Sequence, residues 1–457
     1  MRNYNDSSAR DAAARLLSLV NRVIILREKE PSDALKLLAG AAECIINGDC
    51  MGAYIKHCAL CCALIKSPAR RVSGSIFTDY LIHLAVGYEH SFALSSATGM
   101  LDEAQLMLFR SDLSALGELS TLDSADISRM TMQRSRELNS RSRYAKDDIS
   151  VMSTAAWGGT EPKPMPHNKE AMPAEAALQP PAEGEWPAWS YGEKGMRGEY
   201  AADEVLEEIY ISLTESDNWK SAAQDLFNLF ASSGTGVLLR SRTLECRTDG
   251  QRAWLEEAAQ NECAVQLSCQ EKARQTLSEQ VIAFMRGTKP SCVLIYGPEA
   301  MGKATLARAM ADEFPELRLI QACPVNGAEI RSLFAYLGAQ PLRFMLLMEN
   351  ADTYSPAWRV LLNECTGAAV PQNVMCVATS SSAAGFAGFP VRIGLENMEL
   401  DAFAKTAEEL SAARAPYIDT DAAWIRNAAV DYQLDPHDEF NVSSASLIAA
   451  RFIAAHE

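Results

Sequence analysis

The chain has 457 residues, of which 42 are Lys or Arg and 59 are Asp or Glu, giving a net charge of −17. At roughly 100–200 residues per domain this length predicts two or three domains, and 48% apolar residues exclude a wholly disordered chain. The acidic balance argues against an extended nucleic-acid footprint, which needs Lys and Arg clustered on one face, and no stretch approaches the roughly 20 apolar residues of a membrane-spanning helix.

The opening MRNYNDSSARDAAARLL has no continuous apolar run before a small-residue cleavage site. A signal peptide is therefore not expected, and a soluble cytoplasmic protein is. The 12 cysteines should then stay reduced. Their one cluster, His57-Cys58 with Cys61-Cys62, lacks the second ligand pair that a zinc site needs. Cys58, Cys61 and Cys62 alternate with Ala, Leu and Ile at helical spacing and read as small core hydrophobes, so no metal is assigned there.

Residues 1–143 read as a helical domain. Leu16, Leu19, Val20 and Val23 fall on one face of a 3.6-residue period. Ser32 and Asp33 stand where a helix N-cap belongs, Gly48 closes that helix as a C-cap, and Asp49 caps the next. Apolar periods recur over 77–86 and 101–108, whereas SRMTMQRSRELNSRSRY is locally basic with little apolar period and reads as a solvated helix or tail.

Residues 144–200 hold seven of the 19 prolines and few apolar side chains, which predicts a flexible, disordered linker of largely extended character. Trp186 and Trp189 lie in it. A mobile tether is the expectation, with docking on a partner or on the chain itself as the alternative. Residues 201–400 then read as an α/β core with a helical lead-in, EVLEEIYISL and WKSAAQDLFNLF, and 401–457 as a C-terminal helical lid. Apolar runs at 292–296, 317–322, 344–348 and 374–378 separated by helical segments predict a parallel sheet with helices on both faces. Trp358 and Trp424 read as core, and His437 as a solvated loop residue.

Within that core lies Gly297-Pro298-Glu299-Ala300-Met301-Gly302-Lys303-Ala304-Thr305, between an apolar strand and the helix TLARAMADEF. The spacing G-x-x-x-x-G-K is that of a Walker A phosphate loop. Its glycines let backbone N–H groups surround phosphate oxygens, the lysine reaches the β- and γ-phosphates, and the helix N-terminus adds partial positive charge. One position departs from the motif: Ala304 stands where a Ser or Thr hydroxyl would ligate Mg2+. Thr305 is about 100° further round the helix and does not simply replace it. A second acidic site should end another strand, and 344–348 runs into Glu349, Asn350 and Asp352.

These blocks, from CQEKARQTLSEQVIAFMRGTKPSCVLIYG through LRLIQACPVNGAEIRSLFAYL to RFMLLMENADTYSPAWRVLLNE and PQNVMCVATSS, resemble a little-characterised bacterial family of AAA+ ATP-binding proteins, a domain of unknown function preceded by a variable helical domain. The resemblance covers about residues 218–457. It implies that Gly297, Gly302 and Lys303 hold the phosphates of ATP or ADP and that Glu349, the first of two positions where the family has aspartates, holds Mg2+. Asn350 occupies the second. The resemblance further makes Ser381 the counterpart of a γ-phosphate-sensing asparagine and Arg392 the counterpart of a later arginine, and it leaves no arginine near Ala445 or Ser446 where one is implied. Loss of groups that stabilise a transferring phosphoryl group costs orders of magnitude in rate.

The leading reading is an ATP-binding AAA+ protein with weak or absent hydrolysis, a pseudo-ATPase that uses nucleotide as a structural or switching ligand and its helical domain for a protein partner. Two others stay open. One is an active ATPase completed by Asp352 or by a neighbouring subunit of a homo-oligomer; the other is a nucleotide-free scaffold. Neither a membrane nor a nucleic acid is an expected partner.

Overall fold

The computed structural model describes residues 8–28, 33–154, 180–191, 204–216, 218–258, 265–367, 369–433 and 439–456. The linker reading for 155–179 and 192–203, Ser32 as a cap, and the solvated His437 lie outside them. The chain divides into two compact units, the second beginning at Ala231, so that Asp203–Phe230, read above as lead-in to the α/β core, goes with the first. No helix among the described residues is long and apolar enough to cross a membrane.

The first unit is helical. Its longer helices, Ala9–Arg22, Ala34–Asn47, Cys50–Ile65, Ile76–Val86, Glu103–Leu119 and Ser124–Thr154, bury the periodic apolar positions, with Leu16, Leu38, Leu60, Phe77 and Leu113 all fully enclosed. Gly48 adopts the left-handed C-cap conformation at φ 82°, and the Asp49 carboxylate accepts from Gly52 N–H at 2.8 Å, as read from sequence. Asp33 stands before its helix at φ 54° but makes no capping bond. Of the cysteine cluster only Cys61 is buried; Cys62 is exposed and Cys58 lies between.

The basic stretch is not solvated along its first half. Met130, Thr131 and Arg134 are buried, and the Arg134 guanidinium donates to Ile45 O at 3.2 Å and Ile46 O at 3.3 Å, at the C-terminal end of Ala34–Asn47 where a cation is favoured.

The linker reading fails at both of its described ends: 144–154 continue the helix Ser124–Thr154, and 180–191 dock on the helical unit. Trp186 and Trp189 are buried against the helices, flanking the enclosed His57 at ring separations of 5.1 and 5.3 Å. His57 Nε2–H donates to Pro187 O at 2.7 Å. Trp189 also meets Phe77, and its carbonyl accepts from Ile76 N–H at 2.8 Å. The far end is fixed by Tyr191, whose hydroxyl donates to the buried Asp79 at 2.5 Å. Two tryptophans offset the low apolar content around them, since each aromatic ring buries on the order of 150–250 Å2.

The second unit is an α/β domain. Its strands are β1 (Thr243–Thr248), β2 (Ala253–Glu257), β3 (Val293–Tyr296), β4 (Leu317–Ala322), β5 (Arg343–Met348), β6 (Val374–Ser380) and β7 (Val391–Gly394). They form one sheet in the order β2-β1-β4-β5-β6-β3-β7, parallel except for the β1–β2 hairpin. Sequence analysis anticipates β3 to β6 but not β1, β2 or β7. Alternation sorts the side chains to two cores: Met345 and Leu347 on one face, Phe344, Leu346 and Met348 on the other.

Helices α1 (Glu271–Met285) and α2 (Lys303–Glu313) cover the first face; α3 (Gly327–Gly338) and α4 (Pro356–Thr366) cover the second. Helices α5 (Leu400–Arg414), α6 (Ala422–Gln433) and α7 (Val442–His456) extend the first core through Phe403, Ile425, Ile448 and Phe452. Trp424 packs at its edge and Trp358 beside the second core. This is the anticipated P-loop NTPase architecture, with strands crossing in parallel beneath two helical layers.

Candidate functional site

The loop 297–302 leaves the C-terminal end of β3, between β6 and β7, where the strand order turns back on itself and α/β sheets hold their ligands. Its shape is fixed by backbone conformations that the sequence supplies. Gly297 sits at φ 146°, and a Cβ there would lie 2.2 Å from Leu395 O. Gly302 adopts φ 75° as it caps α2. Ala300 holds φ 56° without being glycine, a strained conformation at the centre of the loop. The buried Gln270 amide donates to Met301 O at 2.6 Å, and Ser443 N–H, at the start of α7, donates to Ala300 O at 3.3 Å.

Lys303 is turned back into the loop. Its ammonium donates to Gly297 O at 2.9 Å and to Pro298 O at 2.5 Å, and the side chain is almost wholly buried. Burial pushes its pKa down, with Glu299 opposing the shift. These carbonyls hold the cation near the place that phosphate oxygens occupy in a loaded loop.

Two cavities flank the loop. The first, about 720 Å3, is lined by Glu299 to Thr305, by Asn350, Asp352 and Tyr354 beyond β5, and by Thr379 to Ser382 beyond β6. The second, about 650 Å3, is lined by Ala300, Gly302, Thr305 and Arg308 from the loop and α2 and by Arg414, Val442 and Ser446 from α5 and α7. Thr305 borders both.

The other anticipated residues divide. Ser381 borders the first cavity, as does Asp352, whose carboxylate accepts from Tyr354 N–H at 2.8 Å. Asn350 holds φ 50°, and its N–H donates to Thr379 Oγ1 at 2.9 Å, which ties the end of β5 to β6. Arg392 borders neither cavity; its guanidinium donates to Phe389 O and Phe386 O at 3.4 and 3.2 Å. Glu349 also borders neither, because its carboxylate is paired with Arg308 from α2.

Two cations were not anticipated. Arg308 pairs with Glu349 and borders the second cavity. Arg414 reaches that cavity from the end of α5 and donates to Ser446 Oγ at 2.8 Å, close to where the resemblance implied an arginine on the last helix. The contact joins residues 32 apart, beyond the reach of local spacing.

The group that the fold implies beside a nucleotide is Mg2+, an ion that demands near-octahedral oxygen ligation and is bound through one or two carboxylates plus phosphate oxygens. The two positions from which the motif would ligate it do not fit it, and the carboxylates that border the first cavity are those of Glu299 and Asp352 instead. Ala304 offers no oxygen, and the Glu349 carboxylate is held by a guanidinium outside both cavities.

Residues 247–383 match the model of a family described as protein of unknown function (DUF815). That span takes in the loop and β3 to β6, so the resemblance read from the sequence, to an uncharacterised AAA+ family, is met by this match. No curated protein matches the sequence. Among solved structures, the Holliday junction branch migration motor RuvB of Thermotoga maritima is similar at 16% identity and a TM-score of 0.28, over 41% of this chain and 69% of that one. The Aeropyrum pernix ORC1 protein in complex with DNA is similar at 15% identity and a TM-score of 0.27, over 41% and 66%. For C. elegans PCH-2 the identity is 9% and the TM-score 0.28, over 42% and 69%. The fold assignment rests on strand order and loop position rather than on these scores.

Proposed function

We propose that the second unit binds ATP or ADP at the loop 297–305, with weak or absent hydrolysis, and that nucleotide serves as a structural or switching ligand. The observation that carries this reading is Lys303, buried within a glycine-shaped loop at the head of α2 and held by the carbonyls of Gly297 and Pro298, which phosphate oxygens would replace. A buried cation beside a helix N-terminus between two open cavities suits a polyphosphate, and the cavities are large enough for a nucleotide.

Weak turnover is supported by the chemistry of the side chains. Asn350 is an amide and cannot take a proton from attacking water, and the arginines of the site border the second cavity rather than the first. One observation favours an alternative, an active ATPase: Asp352 borders the first cavity together with Lys303 and Thr305. Phosphate release that is lost in Asp352→Asn would select that alternative.

The test of nucleotide binding is a titration of the full chain with a fluorescent ATP analogue. Saturable binding that is absent from a folded Lys303→Ala variant is the expected result; equal affinity in the two proteins would reject the site. Partner binding through the helical unit, where Ile55 and Ile65 are exposed on one helix, and assembly into a homo-oligomer belong to the same proposal. Sedimentation with and without nucleotide tests the assembly.

A further inference from the structure

The ion pair between Arg308 and Glu349 changes what kind of nucleotide site this is. Glu349 directly follows β5, where the resemblance places a metal ligand, yet its carboxylate accepts from Arg308 Nη2, and the two side chains are similarly shielded, at 28% and 29% exposure. Ala304 removes the hydroxyl that would face it from the loop. A guanidinium thus lies on the oxygen that a divalent cation would need. It carries a permanent positive charge and five donors, of which Glu349 takes one. Its Nε–H is buried and finds no hydrogen-bond partner among the described residues, although the side chain borders the second cavity beside Thr305. An unpaired buried donor is costly unless a ligand satisfies it.

We propose that this site binds its nucleotide without a divalent cation, with Arg308 supplying the charge that Mg2+ supplies elsewhere. The inference rests on the nucleotide-binding reading above and names the form of the ligand, metal-free ATP or ADP. Lys303 borders the first cavity and Arg308 the second, and Gly302 and Thr305 of the loop end border both. Arg414 adds a third cation, in the lining of the same cavity as Arg308. A fixed guanidinium needs no dehydration of a bound ion, and its bidentate geometry suits phosphate oxygens.

The experiment is a calorimetric titration of the full chain with ATP, once in buffer containing MgCl2 and once in EDTA. Equal affinity in both buffers is the expected result for the wild type. Arg308→Gln should lose about tenfold or more in EDTA, corresponding to about 1.4 kcal/mol, and recover little of it when Mg2+ is added, because the released Glu349 still lacks a loop hydroxyl beside it. Arg308→Lys, which keeps the charge but not the fork of donors, should lose less EDTA affinity than Arg308→Gln.

If Arg308→Gln fails to fold by circular dichroism, Glu349→Gln replaces it, and this variant should bind ATP in EDTA at least as well as the wild type. A wild type that loses about tenfold or more in EDTA, while Lys303→Ala still abolishes binding, would overturn the metal-free site and leave the loop reading standing. No binding in either buffer would overturn both.

Discussion

Arg308, five residues beyond Lys303 along the same helix, pairs with Glu349 at the end of β5 and so joins the phosphate-loop helix to the strand that carries the site's acidic residue. The pair accounts for two departures from the expected motif at once. Without a loop hydroxyl, a lone carboxylate would be a poor Mg2+ site, and with a guanidinium beside it the carboxylate is neutralised instead of exposed to bound phosphate.

Ala304→Ser restores the missing hydroxyl but leaves Glu349 paired. The single variant should therefore show the same ATP affinity in MgCl2 as in EDTA. Combined with Arg308→Gln it should acquire a dependence on Mg2+, read as an affinity ratio between the two buffers. A metal dependence conferred by Ala304→Ser alone would mean that Glu349 is already available.

The loop carries a strained residue whose relief is measurable. Ala300 holds φ 56°, and a left-handed conformation costs a non-glycine residue about 1–2 kcal/mol. Ala300→Gly should recover about 1 kcal/mol in urea unfolding, less the larger backbone freedom that glycine brings to the unfolded chain. Gly297→Ala should act in the opposite sense, because its Cβ would lie 2.2 Å from Leu395 O. Loss of nucleotide binding together with a lowered Tm is the expected outcome.

Lys303 gives the site a pH dependence of defined sign. Burial lowers its pKa from 10.5, so in the free protein the ammonium loses its proton earlier than an exposed lysine does. Bound phosphate favours the charged form. ATP affinity should therefore be full at neutral pH and start to fall below pH 10.5 as pH rises, measured by titration across an alkaline series in which the protein stays folded. A loss of affinity that appears only on acidification would point to a carboxylate rather than to Lys303.

The docked segment in the first unit has its own test. Trp189 is 2% exposed and packs on His57 and Phe77. Trp189→Ala should lower the stability of the helical unit by about 3–5 kcal/mol in chemical unfolding and expose 180–191 to limited proteolysis. An unchanged proteolytic pattern would contradict the docking described for Trp186, Trp189 and Tyr191.

What could be read from the sequence follows from how local each signal is. The phosphate loop is a chemistry of consecutive residues, two glycines and a lysine between a strand and a helix, and it stands out directly. Strands β3 to β6 are buried on both faces and therefore run as continuous apolar segments. Strands β1 and β2 carry charged, half-exposed edges such as Glu245, Arg247 and Glu256, and β7 has four residues with one buried, so neither gives an apolar run.

The cations of the site are a different case. Arg308 and Glu349 are 41 residues apart, and Arg414 and Ser446 are 32, so only the fold brings them together. The resemblance points to Arg392, but its guanidinium is occupied by the carbonyls of the turn before β7. In the linker, proline density favours a tether over the docking of Trp186 and Trp189, because their burial depends on helices distant in sequence.

The most direct measurement is a calorimetric titration of the full chain with ATP, with phosphate release followed on the same sample and Lys303→Ala run beside it. One saturable site in the wild type, no binding in the variant, and no phosphate release above the variant's background are the results predicted here. Absence of binding in the wild type, or binding that survives Lys303→Ala, would contradict nucleotide recognition at this loop, and sustained turnover would contradict its use as a static or switching ligand.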